Sequence, residues 1–339
     1  MAYTAGLCSS IQVNLNDVAG TNAPALARQK VGTIDGLMSD VNRAGFTAEI
    51  VPTNGKFRAV QINYIGQACD GDVVTSCAAN CNDEVEPAPQ EQLITEFSCA
   101  KYKMAFDENE MRKICEADNI WVAQNIMRAM NAINVSVDKA MIALLNTNSG
   151  GLSSGPGSLS IPFFTTAGLP NPMAWAQILS EFDAQGASGA PIIVGGQQVD
   201  LYAKAQSIAC CNTVAGMDLS QGAGTAFFYS DPSINTVASA TTAYAWAPGA
   251  VQMVTWNKYL GDYAKRNDSF EHGTIVDPFT GLVYDLKTSY NDCTEKWYVE
   301  LALNWAPIFM PTALCVDAGA NMLITIEDCS AGPVACPQA

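Results

Sequence analysis

Cysteine is the residue type most able to do chemistry in this chain, and its spacing limits what that chemistry can be. The twelve cysteines fall at positions 8, 69, 77, 81, 99, 115, 210, 211, 293, 315, 329 and 336. None forms a Cys-x-x-Cys pair, which removes the zinc ribbon and the thioredoxin-type redox motif. Cys69, Cys77, Cys81 and Cys99 gather around one polar segment, and two readings of them stand side by side. In one they close that segment as disulfides, or bridge to another molecule, and closing a loop of this size stabilises by ~3 kcal/mol. In the other they are reduced thiols. Cys329 and Cys336 could clamp the C-terminal tail in the same way. The adjacent Cys210 and Cys211 would strain the backbone if bridged to each other, so they read as small apolar packing residues.

His272 is the single histidine, next to Glu271 in a polar stretch before a strand. Without a second histidine the common triads and multi-histidine zinc sites cannot be built, so it reads as a surface residue. A Gly-x-Ser-x-Gly elbow, a P-loop and a dinucleotide fingerprint are all missing. Gly195-Gly196 follows a strand but lacks the third glycine, so it reads as a strand-to-helix turn. Asp70-Gly71-Asp72 and the Asn80–Asp83 run offer oxygen ligands but do not match the calcium-binding loop pattern. Asn267-Asp268-Ser269 is a glycosylation sequon without a secretory context. The expectation is therefore no catalysis, no cofactor and no metal.

The elements that would position these residues are legible from periodicity. Residues 1 to about 55 are polar and weakly periodic, an extended arm with one short helix near Gly32 to Ala44. Residues 57–66 alternate as a half-buried strand, and 92–104 form a second strand candidate. Together they make a long hairpin whose tip, 67–91, carries three cysteines and an acidic, proline-rich run. A two-stranded hairpin is marginal alone and needs a surface to lie on. A helix is expected next, capped at Asp107 with Glu110 three residues on and running to Asn146, with the β-branched cluster Val135–Val137 as a point of bending. As one piece it would be roughly 55 Å long.

After a glycine-serine loop, Asn171 and Pro172 open a second helix with Trp175, Ile178, Leu179 and Phe182 at helical spacing. Ala190–Val194 reads as a short buried strand, and Gln197 to Ala209 as a third helix. Strands follow at Ala250–Trp256, on both sides of the turn Asp277-Pro278-Phe279-Thr280-Gly281, at Trp297–Leu303 and at Met322–Glu327. The fold class is α+β.

Composition narrows the function. The 339 residues are 49% hydrophobic but only 15% charged, a surface suited to burial against neighbours. A net charge of −16 with no lysine or arginine cluster argues against gripping nucleic acid. No apolar run is long enough to span a membrane, and the N-terminus lacks the basic and apolar regions of a signal peptide.

The order of segments resembles the tailed-bacteriophage major capsid proteins of the Hong Kong 97-type fold. The residues that carry the likeness are 119–146, the helix-strand-helix 172–209, and the segments 247–257 and 273–287. The resemblance implies an N-terminal arm (1–55) and an extended hairpin, the E-loop (56–106). It further implies a peripheral domain with a spine helix (107–160 and 291–339) and an α/β axial domain (161–290). It implies self-assembly into hexamers and pentamers, an icosahedral shell around double-stranded DNA held without sequence-specific binding, and a virion location after synthesis in the host cytoplasm. A separate scaffolding protein, a portal and a cement protein are the partners it suggests. An encapsulin-type nanocompartment shell and a phage tail or surface adhesin are the alternatives. Cys69, Cys77, Cys81, Cys99, Cys329 and Cys336 are the candidate disulfide or inter-subunit positions.

Overall fold

The structure, a computed structural model, describes residues 13, 15–17, 19–20, 29–41, 47–51, 59–64, 90–94, 96–107, 120–149, 158–184, 189–210, 226–258, 265–267, 270–309 and 323–330. It divides into two compact units. One comprises Met1–Ile34, Phe97–Ala140 and Met253–Ala306; the other comprises Asp35–Glu96, Met141–Gln252 and Pro307–Ala339. The chain is mixed α+β.

The first unit is built on a sheet of order β10-β11-β12-β13-β4, with β9 also pairing β13. Its strands are β4 (Ser98–Asp107), β9 (Val251–Trp256), β10 (Lys265–Asn267), β11 (Phe270–Val276), β12 (Val283–Asn291) and β13 (Lys296–Phe309). Strand β13 shows why the sheet forms. Trp297, Val299, Leu301 and Leu303 are buried, and Tyr298, Glu300, Ala302 and Asn304 between them are only partly covered. That period of two puts one face on the core and leaves the other outside. The turn from β11 to β12 is the expected Asp277–Gly281 segment, with Gly281 at φ +73°, where glycine carries no steric cost.

Helix α2 (Ile120–Asn148) begins in this unit, and its 29 residues give it a length of about 43 Å. Ile126, Met130, Ile133 and Val137 are buried at three- and four-residue spacing. It continues through Val135–Val137, where a bend was expected, because Val137 is packed into the core. The expected start at Asp107 is corrected: β4 runs through Asp107, which pairs with Lys296 at 3.5 Å, and the helix is assigned from Ile120. Residues 108–119, with Glu110, Met111 and Ile114, lie outside the described residues.

The second unit holds two sheets. One is mixed, of order β5-β14-β8-β6-β7, from β5 (Ser158–Ile161), β6 (Ile192–Gly195), β7 (Phe227–Ser230), β8 (Thr242–Trp246) and β14 (Leu323–Asp328). Every residue of β6 and β8 is buried, as expected of central strands covered on both faces. Helices α1 (Gly32–Val41), α3 (Ala174–Ala184), α4 (Gln197–Cys210) and the single turn α5 (Ile234–Val237) accompany these sheets, α1 starting in the first unit. Gly36 of α1 lets the helix come close to β6: a Cβ there would lie 3.2 Å from Ile192 Cγ2. Phe163, Trp175, Tyr202 and Phe228 form a connected aromatic group with centroids 4.9–6.0 Å apart.

The other sheet of this unit corrects the hairpin. The expected strand 92–104 is two strands, with Glu96 and Phe97 belonging to neither. Its first part, β3 (Gln90–Ile94), pairs antiparallel with β2 (Ala59–Tyr64), and β1 (Thr47–Val51), inside the range read as an arm, adds a third strand. Its second part, β4, leaves that sheet altogether and pairs with β13 from Asp107↔Lys296 to Ser98↔Trp305. The intervening tip, 65–89, lies outside the described residues.

Candidate interaction surface

Of the sequence-predicted site residues, Cys99 and Cys329 are described, one in each unit. Cys99 is an exposed free thiol on β4, and Cys293 is another in the turn between β12 and β13. Cys329 is buried and disulfide-bonded. It sits where the chain is already pinned. Its N–H donates to Ile161 O at 3.2 Å, and the neighbouring Asp328 accepts from Phe163 N at 3.0 Å and Ser330 N at 2.9 Å. Cys69, Cys77, Cys81 and Cys336 lie outside the described residues.

Gly195-Gly196 joins β6 to α4 as a strand-to-helix turn. A Cβ on Gly195 would meet Val199 Cβ at 2.8 Å, and one on Gly196 would meet Asn235 Oδ1 at 2.9 Å and Ala240 O at 3.0 Å. The first N–H of α4, from Gln197, donates to that same Asn235 Oδ1 at 2.9 Å. A side chain of the protein thus fills the place at which a phosphate-binding helix would receive its ligand. Among the described residues no group of three or more His, Cys, Asp or Glu side chains is arranged to hold a metal ion. Among the described residues no helix is long and apolar enough to cross a membrane.

One buried polar cluster secures architecture. Tyr284 OH donates to Asn134 Oδ1, and Asn134 Nδ2 donates to Asp277 Oδ2 at 2.8 Å. Asp277 also accepts from Thr280 Oγ1 at 2.8 Å and from Phe279 N at 3.0 Å. Burial and then the Asp277 carboxylate raise the Tyr284 pKa well above its ordinary value, which keeps the phenol neutral and donating. A second long-range anchor is Asp138 of α2, whose Oδ1 accepts from Ile34 N at 3.2 Å in the first turn of α1. A carboxylate there satisfies an orphan donor and complements the helix dipole.

Among the described residues, β4 and the sheet surface beside it face outward. This ten-residue strand ends its sheet among the described residues, pairing with β13 on one side. Cys99, Lys101, Lys103, Ala105 and Asp107 share one face and are all exposed. On the alternate face only Phe106 is buried, and Tyr102 is 42% exposed. Lys103 Nζ lies 4.6 Å from the centre of the Tyr298 ring, a cation–π contact that orients it. The strand read over 92–104 covers most of β4; its partner β13 was not legible from local pattern.

No family model matches the chain, and no curated protein matches it. Solved structures do, and those named are mostly of phages. One is mycobacterial phage Adephagia, at 11% identity over 95% of this chain and 98% of that one, with a TM-score of 0.45. Another is the virus-like particle from Pyrococcus furiosus, at 10% identity, 86% and 96% coverage and a TM-score of 0.42. A third is the satellite phage P4 procapsid, at 10% identity, 92% and 97% coverage and a TM-score of 0.41.

Proposed function

We propose that this chain is a shell-forming structural protein, the major capsid protein of a tailed phage, which assembles with copies of itself into hexamers and pentamers around double-stranded DNA. The observation that carries the reading is β4. Among the described residues, ten residues of backbone end a sheet with side chains exposed on both faces, in a protein whose surface is otherwise sparing with charge. Strand edges of that length invite another chain to pair with them unless they are covered. The residue 65–89 segment, which joins two paired strands, is the candidate to reach a neighbouring subunit through Cys69, Cys77 and Cys81, and Cys99 is the candidate contact on β4. A separate scaffolding protein, a portal and a cement protein complete the proposed set of partners, and the virion is the proposed location.

The test is electron microscopy of the purified protein, alone and with its scaffolding protein. Closed shells of uniform size are expected, with nuclease-protected DNA inside particles taken from infected cells. A monodisperse monomer under every assembly condition would overturn the proposal. Shells carrying an enzyme instead of DNA would replace the virus with a nanocompartment.

A further inference from the structure

The charge of this protein is unevenly shared. The ranges of the first unit hold 13 of the 17 Lys and Arg residues and 15 of the 33 Asp and Glu residues. The ranges of the second hold 4 and 18, so formal charges of −2 and −14 make up the total of −16. Within the first unit the register concentrates cations on one surface. Lys103 lies directly opposite Glu300, Glu300 opposite Lys287, and Lys287 opposite His272, so the four form a row across β4, β13, β12 and β11. Directly opposed residues of antiparallel strands share a face. Here it is the face turned away from the core, because Val299 and Leu301 on either side of Glu300 are buried. Lys101 occupies the same face two residues along β4, opposite the uncharged Ala302.

The row keeps an excess of positive charge. One carboxylate, Glu300, stands between two lysines, and Lys287 is opposed on its other side by the histidine. Glu300 pairs favourably across the ladder with both lysines, but Lys101, Lys103 and Lys287 outnumber it, and that surplus of positive charge is what an external anion would meet.

We propose that this face, centred on Lys101, Lys103 and Lys287, is the cationic half of a head-to-tail contact whose acidic half is the second unit of another copy of the chain. The proposal rests on the shell reading and names its partner surface. Charge complementarity selects the occupant: each copy that offers the lysine row also carries a unit at −14, at equal stoichiometry. A contact between two different patches is heterologous, and repeated around an axis it closes into a ring, which a lattice of capsomers requires.

The experiment mixes ¹⁴N- and ¹⁵N-labelled wild-type protein, assembles it, and treats it with a carbodiimide that joins touching amines and carboxylates. Peptides linking Lys101 or Lys103 of one isotope to Glu96, Glu181, Asp183, Asp200 or Glu327 of the other are expected. Links confined to single-isotope pairs would overturn the proposal. In parallel, Lys101→Glu/Lys103→Glu and the milder Lys101→Gln/Lys103→Gln are compared with wild type by light scattering, with thermal melting as the check of folding. At about 0.1 M salt the reversed pair is expected to lose at least tenfold in assembly rate, and the neutral pair less. Assembly at the wild-type rate by either folded variant would overturn the proposal and leave the shell reading standing. Loss of binding to a short double-stranded DNA, with assembly intact, would also overturn it and give the row to phosphate. A wild type that never assembles would remove both readings together.

Discussion

At the scale of single residues, the polar groups inside this protein are geometric fasteners. Asn134 is the clearest case, because its amide is shared between Tyr284 OH and Asp277 Oδ2. Asn134→Ala leaves a buried phenol and a buried carboxylate oxygen each short of a partner, and is expected to cost about 2–4 kcal/mol. The check is chemical denaturation combined with Tyr284→Phe. If the pair works as a unit, the double variant costs about 1 kcal/mol or more less than the sum of the singles. Gly196→Ala is expected to cost about 1–3 kcal/mol, because its Cβ would collide with Asn235 Oδ1 and with the backbone oxygens of Ser239 and Ala240. Thermal melting of that variant measures it. The sequence offered the double glycine as a turn and Asp277–Gly281 as a hairpin bend, and both are where the pattern placed them. Asn134 carried no such sign, because its partners are 143 and 150 residues away along the chain.

At the scale of elements, what could be read was whatever a local period reveals. The buried strand β6, helices α3 and α4, and the β11–β12 hairpin follow from alternation, helical spacing, Asn171 and turn chemistry. Asn171 Oδ1 does accept the Met173 N–H at 3.1 Å, as a capping residue should. Strand β8 was not legible: Thr-Ala-Tyr-Ala-Trp is buried throughout, so it has no alternation to display. The division of 92–104 between two sheets was illegible for another reason. Pairing of β4 with β13 joins residues almost two hundred positions apart, and local pattern cannot choose between partners for a strand. The pairing makes a dynamic prediction. In the unassembled protein, amides of β4 that point away from β13 are expected to exchange hydrogen within seconds to minutes, while central β13 amides stay protected. On assembly the β4 amides should slow by at least about tenfold if a neighbouring copy covers the strand. Hydrogen exchange read by mass spectrometry measures both, and unchanged β4 exchange in finished particles would leave its edge without a partner.

At the scale of the whole molecule, two electrostatic effects oppose each other, and their ranges differ enough to separate them. Every copy carries −16, so copies repel over the full width of the protein. The proposed contact between the lysine row and an acidic unit acts only where the surfaces touch. At about 0.01 M salt the screening length is roughly 30 Å, so the net charge of each copy is felt by its neighbours and repulsion dominates. Near 0.15 M the length falls to about 8 Å, which suppresses the long-range term but leaves partly desolvated contact pairs largely intact. At about 1 M it is roughly 3 Å and exposed contact pairs weaken too. Assembly of the wild type is therefore expected to pass through a maximum at intermediate salt. The Lys101→Glu/Lys103→Glu variant, with four more units of negative charge per chain and no attractive row, should instead rise steadily with salt and approach the wild type at the top of the range. Light scattering across a salt series for both proteins reads the two curves directly. A wild-type curve that only rises would mean that apolar burial alone holds the copies together and that the lysine row takes no part.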